Sequence, residues 1–171
     1  MKISRRVMAA LLACGVATAA VGITTEEYKV LRTWTLGSSG SPSATYGQVD
    51  CGIWGKTYTD CKHPGVDYST GGKAINVYAV GDGVVTGVGG DTGKVCYYHK
   101  TTDKTFCALH LSKINVVVGN TVTKSTVIGQ TGKVGANSVH LHFEARTGKR
   151  TAAAPNFAGS VDPYAAAKAV R

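Results

Sequence analysis

The sequence predicts an all-β domain, an antiparallel sheet or sandwich that ends in one short helix. The prediction rests on short runs of β-branched and aromatic residues, on the glycine-containing turns between them, and on the scarcity of helix signals. These runs follow one another at the spacing of strands in an antiparallel sheet. They lie at residues 75–80, 83–88, 95–99, 105–111, 114–118, 126–130 and 139–145.

The first twenty residues have the layout of an export signal, in which three cations precede an apolar stretch at residues 7–16 and small residues follow at 17–20. Ordinary cleavage of residues 1–20 is favoured, and lipidation of Cys14 at a lipoprotein-like Leu-Leu-Ala-Cys is the alternative. We therefore expect a secreted, periplasmic or cell-envelope location, with a lipid anchor at Cys14 under the alternative. No membrane span is expected, because no apolar run reaches ~18–20 residues.

Residues 21–45 are expected to form an extension or linker, because they pass through the flexible sequence Gly-Ser-Ser-Gly-Ser-Pro at 37–42. The folded domain is predicted to span residues 46–171. Its helix is predicted at 161–170, where Pro163 suits the first turn after Asp162 and an alanine-rich run follows.

The cysteines agree with export to an oxidising compartment. Outside the leader four remain, and they form no Cys-x-x-Cys pair. Cys96 and Cys107 flank a predicted hairpin and would face each other across its strands, while Cys51 and Cys61 would close a short loop. We predict the disulfides Cys51–Cys61 and Cys96–Cys107, with four free thiols as the alternative.

The net charge of +9 suits a polyanionic partner, either nucleic acid or an anionic cell envelope. Without the leader's three cations, 16 cationic and 10 acidic side chains remain, a net charge of +6. A nucleic-acid-binding domain would need neither a leader nor paired cysteines, and the chain lacks an RNA-recognition aromatic signature. We therefore expect no nucleic-acid partner. A length of 171 residues excludes a multidomain enzyme.

Two histidine-containing patterns suit metal chemistry. His140 and His142 form a His-Leu-His triplet in a strand-like run, so their side chains share one face. His63 and Asp67 are separated by Pro-Gly-Val, and a bend there would turn both side chains toward one point. Nitrogen and oxygen donors of this kind suit zinc, although either pattern alone is more often packing or surface.

Five blocks in order, spanning roughly residues 46–164, form a larger pattern. They are His63-Pro-Gly-Val-Asp67, residues 77–85, His110-Leu-Ser, Val-Ile-Gly at 127–129 and His140-Leu-His-Phe-Glu144. This pattern resembles the lysostaphin-type zinc metallopeptidases, the peptidoglycan endopeptidases of metallopeptidase family twenty-three. The resemblance implies a groove over the sheet with a single zinc ion at its floor, and peptidoglycan peptides as substrate.

The resemblance makes His63, Asp67 and His142 the ligands of one Zn²⁺ per chain, and His110 and His140 the catalytic pair. His140 is assigned to orienting or deprotonating the attacking water and His110 to stabilising the intermediate, or the reverse. The chain lacks the His-Glu-x-x-His motif that supplies a glutamate base in other zinc proteases, and histidine can handle the proton instead.

Other residues near these blocks have two interpretations each. Glu144 either supports a ligand from behind or forms a surface salt bridge. Tyr46, Trp54 and Tyr58 either line the groove or pack in the interior, and His99 is expected to be structural or exposed.

Three departures from the family pattern leave the metal and catalytic positions intact. Asn-Ser-Val at 137–139 replaces Thr-Gly-Pro, Ala108 replaces a tyrosine, and Ser125 replaces a glycine. They leave open which peptide bond is cleaved. The predicted function is an exported, monomeric zinc endopeptidase acting on peptidoglycan stem peptides or crosslinks, through zinc-activated water assisted by two histidines. The alternative is a non-catalytic peptidoglycan-binding or amidase-activator module of the same fold. Residues 21–45 would either leave the groove free or cover it.

Overall fold

The computed structural model describes residues 22–53, 60–154 and 156–171. They contain two antiparallel sheets and two helices. The predicted all-β class with a C-terminal helix is confirmed. The predicted leader with Cys14, together with Trp54 and Tyr58, lies outside the described residues. The helices are α1 (Thr25–Leu36) and α2 (Pro163–Lys168). The strands are β1 (Gly65–Ser69), β2 (Asn76–Tyr78), β3 (Gly83–Gly89), β4 (Lys94–His99), β5 (Lys104–Leu109), β6 (Lys113–Ile114), β7 (Thr121–Val122), β8 (Val127–Gln130), β9 (His140–Thr147) and β10 (Ser160–Val161).

The larger sheet has the strand order β1-β9-β5-β4-β3-β7, with β10 also paired to β9. The smaller sheet has the order β2-β8-β6. Strand β9 lies between β1 and β5, so its residues are flanked on both sides by paired backbone. This central place matters, because β9 carries the His-Leu-His triplet.

The two faces of β9 have different roles. Leu141, Phe143 and Ala145 are fully buried in the main hydrophobic core, together with Tyr68 of β1 and Phe106 of β5. The intervening positions carry polar side chains on the opposite face, as strand alternation requires. The strand therefore holds the core on one side and displays chemically active groups on the other.

A C-terminal segment, of which residues 148–154 and 156–158 are described, covers part of this polar face. The Thr105 hydroxyl donates to the carbonyl of Gly148 at 2.7 Å. Gly87 of β3 faces the backbone of Thr151 so closely that a Cβ atom could not fit between them. Ala153 packs against a small buried cluster of Cys96, Cys107 and Leu109. The polar face of β9 is thus closed to solvent beneath this segment.

Both predicted disulfides are present. Cys96 and Cys107 are directly opposite in the pairing of β4 with β5, as the symmetric hairpin predicted. Cys51 is bonded to Cys61, which closes the short loop before β1.

Helix α1 differs from the expectation of a linker-like segment. Thr24 and Glu27 form a capping box at its start, and Gly37 ends it with φ of 69°. Tyr28 and Leu31 are buried in the main core. These capping signals were present in the sequence, but only the burial of the apolar side chains makes the segment a stable helix.

The other elements lie close to their predicted positions. The C-terminal helix begins at Pro163 after the cap residue Asp162, inside the predicted range 161–170. The predicted strand at 114–118 is reduced to β6, and the strands β1, β7 and β10 were not predicted. Neither helix among the described residues has the length and apolarity needed to cross a membrane.

Candidate metal centre

His63, Asp67 and His142 bring three possible metal donors together. His63 Nε2 is 3.1 Å from His142 Nδ1 and 3.3 Å from Asp67 Oδ1. His142 Nδ1 is 2.9 Å from Asp67 Oδ1. The three atoms form a nearly equilateral triangle at the floor of a groove.

Strand pairing places two of these donors. Asp67 of β1 and His142 of β9 are directly opposite in the antiparallel register, and residues so paired project from the same face of a sheet. His63 reaches the site from the segment before β1, and its Nδ1 contacts the carbonyl of Thr45 at 3.1 Å. That contact leaves Nε2 turned toward the other donors.

The bend expected at Pro64 and Gly65 is not observed in this described segment. The turn lies earlier, at Asp60 and Cys61, and β1 already begins at Gly65. Gly65 is needed for a different reason. A Cβ atom there would lie 2.6 Å from the carbonyl oxygen of Phe143 and 2.9 Å from His142 Nε2. A side chain at this position would push the His142 ring out of place.

The donor set fits zinc. With metal–ligand distances of about 2.0–2.2 Å, the donor atoms of a tetrahedral site are roughly 3.3–3.6 Å apart. The observed separations of 2.9–3.3 Å are slightly shorter, so a small outward movement of the three side chains would accommodate the ion. Two imidazole nitrogens and one carboxylate oxygen also match the ligand types that zinc prefers, and leave a fourth position open.

The pKa values show how strongly these groups interact. Burial would raise the pKa of Asp67, but hydrogen bonds from His142 and His63 hold it well below its usual range. Burial would lower the pKa of His142, but its hydrogen bonds to Asp67 and Glu144 outweigh that effect and raise the pKa to about 9. Asp67 is therefore ionised at neutral pH and ready to serve as a ligand.

His110 and His140 lie beside the triangle. Their ring centroids are 4.6 Å apart, and His140 Nε2 is 3.9 Å from Asp67 Oδ1. His110 Nδ1 contacts the carbonyl of Val134 at 2.8 Å, and His140 Nδ1 contacts that of Ser138 at 2.9 Å. Because a carbonyl only accepts hydrogen bonds, both Nδ1 atoms carry the proton and both Nε2 atoms are lone-pair acceptors in the neutral rings.

His110 has an unusual backbone. Its φ of 66° lies in the left-handed region, which non-glycine residues rarely adopt. Such strain is common at functional sites. Burial lowers the pKa of His110 to about 4, so its imidazole is neutral near pH 7.

The five predicted site residues all line one groove, together with Ile53 and the loop at residues 135–138. Among the described residues, positions 22–44 contribute nothing to this lining. Tyr46 does not line it either; its ring packs against Phe157 with centroids 4.7 Å apart. His99 lies at the turn between β4 and β5, where Nδ1 contacts the Thr102 hydroxyl at 2.9 Å.

Glu144 is not part of a surface salt bridge, because it is only 1% exposed. Its carboxylate pairs with the equally buried Arg146, which sequence reasoning did not single out. The available signal was alternation, since Arg146 follows His142 and Glu144 on the same face of β9.

The fold and the site together define a β domain with a groove whose side chains could hold a metal ion. The model of peptidase family M23 matches residues 61–155, more than half of the chain, and the chain belongs to this family. Its His63, Asp67 and His142 form a cluster that can hold a metal ion. A search of curated proteins found no match to this chain.

Solved structures of related proteins share the fold. The catalytic domain of the antimicrobial peptidase lysostaphin from Staphylococcus simulans is 23% identical with a TM-score of 0.62, covering 75% of this chain and 92% of that one. A longer lysostaphin structure is 25% identical with a TM-score of 0.61, covering 76% of this chain and 50% of that one. A zinc-containing peptidase from Vibrio cholerae is 25% identical with a TM-score of 0.52, covering 61% and 32%.

Proposed function

We propose that this protein is an exported zinc-dependent endopeptidase that hydrolyses peptide bonds in peptidoglycan stem peptides or crosslinks. The observation that carries the proposal is the triangle of His63, Asp67 and His142 at the floor of a groove, with two further imidazoles beside it. Membership of peptidase family M23 supports the reaction class, and the zinc-containing peptidase from Vibrio cholerae supports the metal.

His63, Asp67 and His142 would hold the zinc ion. When bound there, zinc supplies Lewis acidity, which polarises a scissile carbonyl and makes a water molecule more acidic. The site uses one carboxylate and two neutral imidazoles, so the three protein ligands offset one of the two positive charges of the ion. The remaining positive charge would favour the negative charge that develops during hydrolysis.

The proton chemistry would fall to His140 and His110. In the neutral rings both Nε2 atoms are acceptors, so either can take a proton from the attacking water. The same atom, once protonated, can donate a hydrogen bond to the developing oxyanion or a proton to the leaving amine. His140 Nε2 lies 3.9 Å from Asp67 Oδ1, which is one of the three donor atoms. We therefore assign His140 to the water and His110 to the intermediate and the leaving group.

Charge and compartment support the substrate class. Without the leader the net charge is still +6, which suits an anionic cell envelope, and two disulfides suit an oxidising compartment outside the cytoplasm. The leader sequence would provide export. The loop at 135–138 lies at the groove, so its departure from the family pattern is where bond preference would be set.

The test combines zinc analysis with digestion of purified sacculi, followed by mass spectrometry of the released peptides. We expect about one zinc per chain, loss of hydrolysis on chelation and recovery with zinc. His142→Ala should lose both zinc and activity. Sacculi of different crosslink chemistry would identify the bond that is cleaved.

Substitution of the two flanking histidines separates catalysis from metal binding. His110→Ala and His140→Ala should keep the zinc but lower the rate about 10²–10⁴-fold. His99→Ala is the matched control, because His99 lies at a turn outside the groove and should affect neither. Full hydrolysis by either active-site variant would refute the proposed roles. Zinc-loaded protein that binds sacculi without cleaving them would instead support the non-catalytic alternative.

A further inference from the structure

A buried ion pair lies behind His142 on the same face of β9. Glu144 Oε1 accepts a hydrogen bond from Arg146 Nε at 2.8 Å, and both side chains are almost fully excluded from solvent. Removing a carboxylate and a guanidinium from water carries a large desolvation cost. Apolar side chains would fill this space at least as stably. Stability alone therefore does not explain why this buried pair is present.

Arg146 holds the pair in a fixed position. Its guanidinium donates to the carbonyl oxygens of Ala154, Asn156 and Ala158, at 2.9, 2.8 and 2.9 Å. Nη1 and Nη2 make these bonds, which anchor the C-terminal segment over the sheet, and Nη2 also lies 3.4 Å from Glu144 Oε2. A planar guanidinium bound on several sides has little freedom to rotate, and the carboxylate that it contacts is fixed in turn.

Glu144 also has little room to move. In the strand register it lies directly between Gly65 of β1 and Cys107 of β5. Cys107 belongs to the small apolar cluster on this face, which offers the carboxylate no competing partner. Its second oxygen, Oε2, lies 3.5 Å from His142 Nε2.

This contact selects which nitrogen of His142 faces the metal donors. Nδ1 lies within 3.1 Å of both His63 Nε2 and Asp67 Oδ1, whereas Nε2 points back to the carboxylate. A carboxylate accepts hydrogen bonds and cannot donate them when ionised, so it favours the tautomer with the proton on Nε2. In that tautomer Nδ1 carries the lone pair.

We propose that Glu144 is a positioning residue that fixes the tautomer and orientation of His142, with Arg146 holding Glu144 in place. The inference rests on the proposed zinc site but not on the peptidase reaction. Outer partners of ligating histidines typically contribute 10–100-fold to metal affinity. We expect an effect of that size on zinc binding when the pair is removed.

The test measures zinc affinity by competition with a chelator, in the purified protein and in three variants. Glu144→Gln removes the charge. The double variant Glu144→Leu with Arg146→Met removes both charges, so that neither is left buried and unpaired. Leu31→Ala in α1 is the control, because it lowers stability far from the groove. We expect 10–100-fold weaker zinc binding in the first two variants and unchanged binding in the control.

Nitrogen-15 NMR of the His142 ring gives a readout that stability alone would not change. In the zinc-loaded wild type we expect the proton on Nε2 and the metal on Nδ1, and in the double variant a faster exchange of the Nε2 proton. If the double variant bound zinc as tightly as the wild type, or if zinc were bound to Nε2 in the wild type, this inference would be overturned and the proposed function would stand. Failure of the wild type to bind zinc would overturn both this inference and the proposed function.

Discussion

Replacing Gly65 with alanine should damage the metal centre although no ligand is replaced. The new Cβ would lie 2.9 Å from His142 Nε2 and 2.6 Å from the carbonyl oxygen of Phe143, whereas ordinary contacts begin at 3.4 Å. The His142 ring must therefore retreat by about 0.5 Å. Metal–ligand distances in zinc sites vary by only about ±0.2 Å, so the displaced ring would have to move back against the new Cβ to bind the ion.

The expected loss of zinc affinity follows from that displacement of the His142 ring. We expect zinc affinity to fall at least tenfold, or about 1.4 kcal/mol in binding free energy. Overpacking of this kind typically lowers the free energy of unfolding by about 1–3 kcal/mol. Chelator competition measures the first quantity, and urea unfolding of the zinc-free protein measures the second.

Gly87→Ala provides the matched control. Gly87 faces the backbone of Thr151 even more tightly than Gly65 faces Phe143, but it lies on β3, away from the donors. Gly87→Ala should lower stability while leaving the zinc affinity of the folded protein unchanged. Equal zinc affinity in Gly65→Ala and the wild type would refute the reasoning, and so would an equal loss in both variants.

Three further predictions concern stability and protonation. Leu31→Ala should lower the free energy of unfolding by about 2–5 kcal/mol, because Leu31 is fully buried in the core; a change below 1 kcal/mol in urea unfolding would contradict a structural role for α1. Replacing Cys96 and Cys107 with alanine should cost about 2–4 kcal/mol in the same assay, and an unchanged midpoint would show that the disulfide adds nothing. Because the pKa of His142 is raised to about 9, zinc must displace roughly one proton at pH 7, and its affinity should weaken as pH falls below 9. Calorimetry in buffers of different ionisation enthalpy measures this release, and its absence would refute the raised pKa.

The grouping of the candidate site residues could be predicted from the sequence. The four histidines and Asp67 that the sequence selected all line one groove, because each stands in a short local motif. The bend predicted within His63-Pro-Gly-Val-Asp67 was wrong, however. Gly65 provides space for the His142 ring rather than a bend, and that space depends on a residue far away in the chain.

Parts of the fold were harder to predict from the sequence. The hairpin with Cys96 and Cys107 was predictable because turn position alone sets which residues are opposite. Helix α1 was not, since its cap signals compete with a flexible sequence and only packing of Tyr28 and Leu31 decides the outcome. Strand β1 was also missed, because it is recognisable mainly through its pairing with β9.

The sequence by itself determined the class of fold, the disulfides and the donor types, because alternation, hairpin symmetry and side-chain chemistry are local properties. The tertiary structure alone decided which nitrogen of His142 faces the other donors and which side chains lie on the opposite side of its ring. Glu144 and Arg146 are charged residues that would ordinarily lie at the surface. They are buried here because β1, β5 and the C-terminal segment that follows β9, distant in sequence from one another, close around the same face of β9.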